Sequence, residues 1–69
     1  MLIKKQTGLS AVDYIHSLRI GQAKRLLREQ PDMLIKDVSR EVGYGTSLNL
    51  IRAFKRYEGM TPTQFRESM

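Results

Sequence analysis

Glycine and proline punctuate this 69-residue chain, and each piece between the breaks carries apolar residues at helical spacing. The breaks fall at Pro31, at Gly43 and Gly45, and at Gly59. A proline removes a backbone donor, and a glycine takes positive φ at little cost, so these positions end helices. The expectation is an all-α chain of short pieces with no repeat and no low-complexity segment. Gly8-Leu9-Ser10 opens the first helix: Ser10 reads as its N-cap, Asp13 completes a capping box three residues on, and Leu9 staples the entry. Val12, Ile15, Leu18, Ala23, Leu26 and Leu27 then recur as a stripe directed at a core. Gly21 interrupts that helix at a cost of about 1 kcal/mol relative to alanine, with close packing against another helix as one reason for it.

The second piece spans residues 32–44, with Ile35, Val38 and Val42 at i, i+3 and i+7 and Lys36, Asp37, Arg40 and Glu41 on the other side. Gly43 stops it. Thr46 caps a third helix whose inner face is Leu50, Phe54 and Tyr57, with Ala53 beside them. After Gly59, Thr61 as cap, Pro62 at the first helical position and Gln64 at the third start a last short helix anchored by Phe65. The expected core is Ile15, Leu18, Leu26, Val38, Val42, Leu50, Phe54 and Phe65.

A core this small yields only a few kcal/mol of stability. There is no cysteine, so neither a disulfide nor a thiolate metal site supports it, and a single histidine, His16, rules out a multi-histidine site. No metal site and no cofactor is expected: Asp32, Asp37 and Glu41 lack metal-ligand spacing, and Met33 and Met60 read as core filler. His16 with Asp13 three residues before it is the one pair that suits a general base. No activated nucleophile or phosphate-cradling loop accompanies it, so no catalytic residue is assigned, and a small hydrolase is the weakest of the readings. No apolar run reaches the length of a membrane span, and Met1–Gly8 lacks the apolar stretch of a signal peptide. The expected compartment is the cytoplasm.

Twelve Lys and Arg against seven Asp and Glu leave a formal charge of +5. Such an excess suits nucleic acid, and on charge alone an anionic membrane surface or an acidic protein as well. The pattern across residues 35–57 narrows the field: helix, glycine turn, helix is the helix-turn-helix layout, although plain αα-hairpins share it. A second helix can enter a major groove only with an outward face free of core duty. Ser47, Leu48, Ile51 and Arg52 form that face and are the candidates for base contact. Arg52 offers a planar fork for the O6 and N7 of guanine, unless it pairs with Glu58. Lys55 and Arg56 at the far end of the helix, Thr46 at its start and Arg66 beyond are the candidates for phosphate contact. Leu48 and Ile51 suit thymine methyls and the surface of another chain equally. A helical protein-interaction module that never touches DNA is thus the rival reading.

Three spaced elements, Gly43-Tyr44, Arg52-Ala53-Phe54-Lys55-Arg56, and Gly59-Met60-Thr61-Pro62-Thr63-Gln64-Phe65-Arg66, resemble the signature of the AraC/XylS transcription regulators. Upstream, Thr7–Ser10, Tyr14-Ile15, Leu18-Arg19-Ile20 and Ala23–Leu27 are similar to that family's long connecting helix. The resemblance covers about residues 3–67. It implies a long connecting helix plus a homeodomain-like three-helix unit over residues 8–69, the second of two helix-turn-helix units that read successive major-groove segments. Residues 1–7 resemble only the tail of a preceding recognition helix, so the chain looks like a fragment without the first unit. The family's base-facing positions match Ser47, Leu48, Ile51 and Arg52. Its implied partners are double-stranded DNA and RNA polymerase, with an effector held by a separate domain that this chain lacks. Several residues depart from the family pattern. Tyr44 replaces the commoner Phe, Leu50 fills a position often aromatic, Thr46 stands in for a capping Asp or Ser, and Leu48 replaces a polar residue. Ser39 stands where Ala is usual, and its hydroxyl needs a partner if buried.

Overall fold

The computed structural model describes residues 11–68, which form four helices: α1 (Ala11–Glu29), α2 (Ile35–Glu41), α3 (Ser47–Glu58) and α4 (Pro62–Glu67). The Ser10 cap, the Leu9 staple and the remnant expected over residues 1–7 lie outside the described residues. Among the described residues no helix is long and apolar enough to cross a membrane. Helix α1 packs across the other three, and α2 and α3 pack on each other. The core between them consists of Ile20, Ala23, Leu27, Val38, Val42, Leu50 and Phe54. Leu26 and Phe65 are partly buried against it. The Phe65 ring meets Phe54 edge-on at 5.5 Å between centroids.

The core expectation fails along the first half of α1. Val12, Ile15 and Leu18 are 62%, 48% and 56% exposed, and the buried residue there is Ile20. The cause is helical register. Ile20, Ala23 and Leu27 share one face at i, i+3 and i+7, and the same face continued toward the N-terminus carries His16 and Asp13. Ile15 and Leu18 fall roughly on the opposite side of the helix. The apolar stripe in the sequence therefore merges two faces. Gly21 is also explained differently from the expectation: it is exposed, and a Cβ built there meets nothing within 4 Å, so close packing is not its reason.

Helix ends follow the sequence signals closely. The α2–α3 connection is a tight turn in which Gly43 and Gly45 take φ of +96° and +83°, where an L side chain is strained. Tyr44 and Gly45 both donate backbone N–H to the Ser39 carbonyl. Ser39 is fully buried, and its hydroxyl donates to the Lys36 carbonyl at 2.6 Å, which supplies the partner its burial demands. Thr46 caps α3 by accepting the Asn49 N–H. Thr61 and Gln64 form a reciprocal capping box at α4 with Pro62 in its first turn. The start of α2 is less well provided, since Leu34 stands at its N-cap and offers no side-chain acceptor.

Candidate nucleic-acid interface

Helix α3 divides its residues cleanly. Leu50 and Phe54 are buried, while Leu48, Arg52, Lys55 and Arg56 are exposed, and Ser47 and Ile51 lie between these extremes. Thr46, at the head of the helix, is exposed as well. The sequence-predicted base face thus stands together on one side of one helix, with Leu48 53% exposed. Arg52 makes no hydrogen bond or ion pair among the described residues, and Glu58, its suggested partner, pairs instead with Lys24 at 3.2 Å. The fork of Arg52 is therefore open to an outside acceptor. Arg56 lies over the Tyr57 ring at 5.8 Å, a contact that steadies its guanidinium without neutralising it.

Arg66 is placed differently. Its guanidinium donates to the Met33 carbonyl at 2.8 Å and reaches the Gln30 carbonyl at 3.5 Å, so it fastens α4 to the α1–α2 connection. It is not brought together with Thr46, Lys55 and Arg56.

Beside α3 lies a feature that sequence reasoning missed. An open cleft of about 310 Å³ is lined by His16, Tyr44, Asn49, Arg52, Ala53, Arg56 and Tyr57. Helix α1 contributes His16, the turn contributes Tyr44, and one side of α3 contributes the rest. The His16 ring lies near-parallel to two tyrosine rings, 5.6 Å from Tyr44 and 5.5 Å from Tyr57 between centroids. Its Nδ1 shares a 2.6 Å hydrogen bond with the Tyr44 hydroxyl. The Tyr57 hydroxyl donates to Asp13 at 2.8 Å. Burial raises the Tyr44 pKa, opposed in part by the Arg19 guanidinium 5.5 Å from its ring. The Tyr57 pKa is raised chiefly by its hydrogen bond to the Asp13 carboxylate. Asp13 and His16 thus serve two separate tyrosines, an arrangement unlike a base with its orienting carboxylate. Only their i, i+3 spacing on the inward face of α1 could have signalled a site, and that signal becomes legible once the register is set by Ile20.

A helix-turn-helix domain model matches residues 1–68. The chain belongs to the AraC/XylS type of helix-turn-helix transcription regulators. It is 41% identical over 66 residues to the HTH-type transcriptional regulator YtdP of Bacillus subtilis (strain 168), covering 96% of this chain and 8% of that protein. It is 37% identical over 68 residues to the Msm operon regulatory protein of Streptococcus mutans, covering 99% of this chain and 24% of that protein. The Arabinose operon regulatory protein of Escherichia coli (strain K12) is 38% identical over 65 residues, which cover 94% of this chain and 22% of that protein. The chain therefore spans at most about a quarter of the length of these relatives. No solved structure matches it. For an AraC/XylS-type unit the two-sided character of α3 is the expected geometry, with one side in the core and the other free for a groove.

Proposed function

We propose that this chain is a DNA-reading unit of a transcription regulator, binding double-stranded DNA sequence-specifically with the helix over residues 46–57 in a major groove. The single observation that carries the reading is the exposed Arg52, unpaired among the described residues, at the centre of an outward face whose opposite side is sealed into the core. In the groove its fork addresses guanine O6 and N7, Leu48 meets a thymine methyl, and Ser47 and Ile51 border the same step. Lys55, Arg56 and the capped start of α3 at Thr46 meet phosphates. Arg66 acts within the fold instead, since its guanidinium is committed to backbone carbonyls. The names of the relatives support transcriptional control as the setting, and the cytoplasm is the place that such a role implies. A preceding helix-turn-helix, an effector-binding domain and contact with RNA polymerase are readings for the longer protein that such a unit serves.

Two variants test the assignment by fluorescence anisotropy across a salt series. Arg52→Ala should cost about 1–3 kcal/mol on a preferred duplex and relax preference at one base pair. Arg56→Ala should weaken all duplexes alike and make the log–log salt slope shallower by about 0.9. Identical behaviour of the two variants on preferred and random DNA contradicts the division of labour between base and phosphate. No binding of any duplex at low salt favours a protein-interaction module.

A further inference from the structure

Groove binding by α3 takes Arg52 and Arg56 from the His16 cleft and leaves His16, Tyr44 and Asn49 without a task. We propose that this cleft is a phosphate notch, in which His16 on α1 and Arg56 on α3 grip one backbone phosphate of the DNA strand running beside the recognition helix. The inference rests on α3 being the groove helix.

Three observations carry it. The first is charge. Arg52 and Arg56 both line the cleft, and neither pairs with a carboxylate among the described residues, where the ion pairs are Lys24–Glu58 and Arg25–Glu29. Asp13, behind the cleft residue Tyr57, accepts a hydrogen bond from the Tyr57 hydroxyl, which tempers its charge toward the cleft. The second is donor geometry. The Tyr44 hydroxyl pairs with Nδ1 of His16 at 2.6 Å, and in the tautomer where Tyr44 donates, the ring proton lies on Nε2 as a donor for a ligand. The ring is held by the Tyr44 hydrogen bond and lies near-parallel to both tyrosines, so its orientation is fixed, and Asn49 adds an amide whose Nδ2 also reaches the Tyr44 carbonyl at 3.3 Å. The third is position. Asn49, Arg52 and Arg56 follow one another by a turn along a single side of α3, and α1 with the turn forms the facing wall. A duplex that takes α3 into its groove carries a strand along each side of that helix. The cleft is open to solvent, so a phosphodiester carried on a chain can reach it.

His16 is the only histidine in the sequence, so its imidazole proton signals report on the cleft without ambiguity. The test is a proton NMR titration of the 69-residue chain at low salt, with a short mixed-sequence duplex, the same duplex made with neutral methylphosphonate linkages, and inorganic phosphate. The charged duplex should shift the imidazole signals saturably, the neutral duplex should not, and inorganic phosphate at equal phosphate concentration should shift them far less. In parallel, His16→Ala should weaken every duplex by about tenfold regardless of sequence, the loss expected for one hydrogen bond to a charged group. Tyr44→Phe keeps the stacked ring and removes the hydroxyl, and should give a loss of the same kind but smaller, with the helical circular dichroism unchanged. Imidazole signals that stay still at saturating charged duplex, or move equally with the neutral one, overturn the proposal. Saturation by inorganic phosphate at the same concentrations overturns the DNA source and makes the cleft a small-anion site. If His16→Ala is silent while Arg52→Ala still relaxes base preference, this inference alone fails. If the chain binds no duplex, both fail together.

Discussion

Tyr44 and Tyr57 both lie against one imidazole, and each has its hydroxyl engaged, Tyr44 with His16 and Tyr57 with Asp13. Both phenols hold their protons more tightly than the ordinary value of 10.0. The folded state therefore binds these protons more strongly than the unfolded chain does. The sign follows directly: their contribution to stability is complete below about pH 10 and is lost as the pH rises through the elevated folded values. Urea unfolding at a series of alkaline pH values should show stability falling from about pH 10 upward. Replacing both tyrosines with phenylalanine should flatten that limb while lowering the plateau beneath it. A wild-type limb no steeper than that of the double variant would mean that these hydroxyls are not held as described. The pair also shows why this corner escaped the sequence. Tyr57 reads correctly as an inner-face residue of α3, yet nothing in its spacing says that its hydroxyl meets a residue 44 positions away.

At the scale of elements, legibility follows the range of the interaction. The caps at Thr46 and Thr61, the stop at Gly59 and the glycine turn are local signals, and each helix boundary they announce is where the structure has it. The inward residues of α2 and α3 were legible too, because short amphipathic helices with one apolar face leave little choice of register. Helix α1 is different. It is 19 residues long, with apolar residues spread around it, and only its partners decide that Ile20 faces in and Leu18 out. The carbonyl contacts of Arg66 were illegible for the same reason: a basic residue in this place suggests phosphate, and the acceptors it meets within the fold lie 33 and 36 residues earlier. This placement has its own consequence. Arg66→Ala should cost about 1–2 kcal/mol of stability by releasing α4 from the α1–α2 connection. The salt slope of DNA binding should stay unchanged. Equilibrium unfolding together with the salt series separates the two roles, and a slope shallower by about 0.9 with stability intact would restore Arg66 to the phosphates.

For the whole molecule, marginal stability and DNA binding are one problem. A core of seven residues among those described, in a chain of this size, supports only a few kcal/mol, so a single large deletion within it consumes most of the margin. Ile20→Ala removes a side chain that is 2% exposed and should cost about 2–5 kcal/mol. Leu18→Ala, two residues away and 56% exposed, should change stability by about 0.5 kcal/mol or less. The contrast tests the register of α1 directly, since the periodicity of the sequence alone predicts the reverse order. Because the side of α3 proposed for the groove is built by folding, duplex DNA that binds there binds the folded state and should restore what Ile20→Ala removes. At a duplex concentration about a hundred times its Kd, the gain is about 2.7 kcal/mol. Thermal unfolding of Ile20→Ala should therefore move back toward the wild-type midpoint as duplex is added, and should keep rising with duplex concentration. The same duplex should do nothing of the kind for Ile20→Ala combined with Arg52→Ala and Arg56→Ala. If added DNA leaves the Ile20→Ala midpoint where it was, the link between the buried side of this helix bundle and its cationic side is broken.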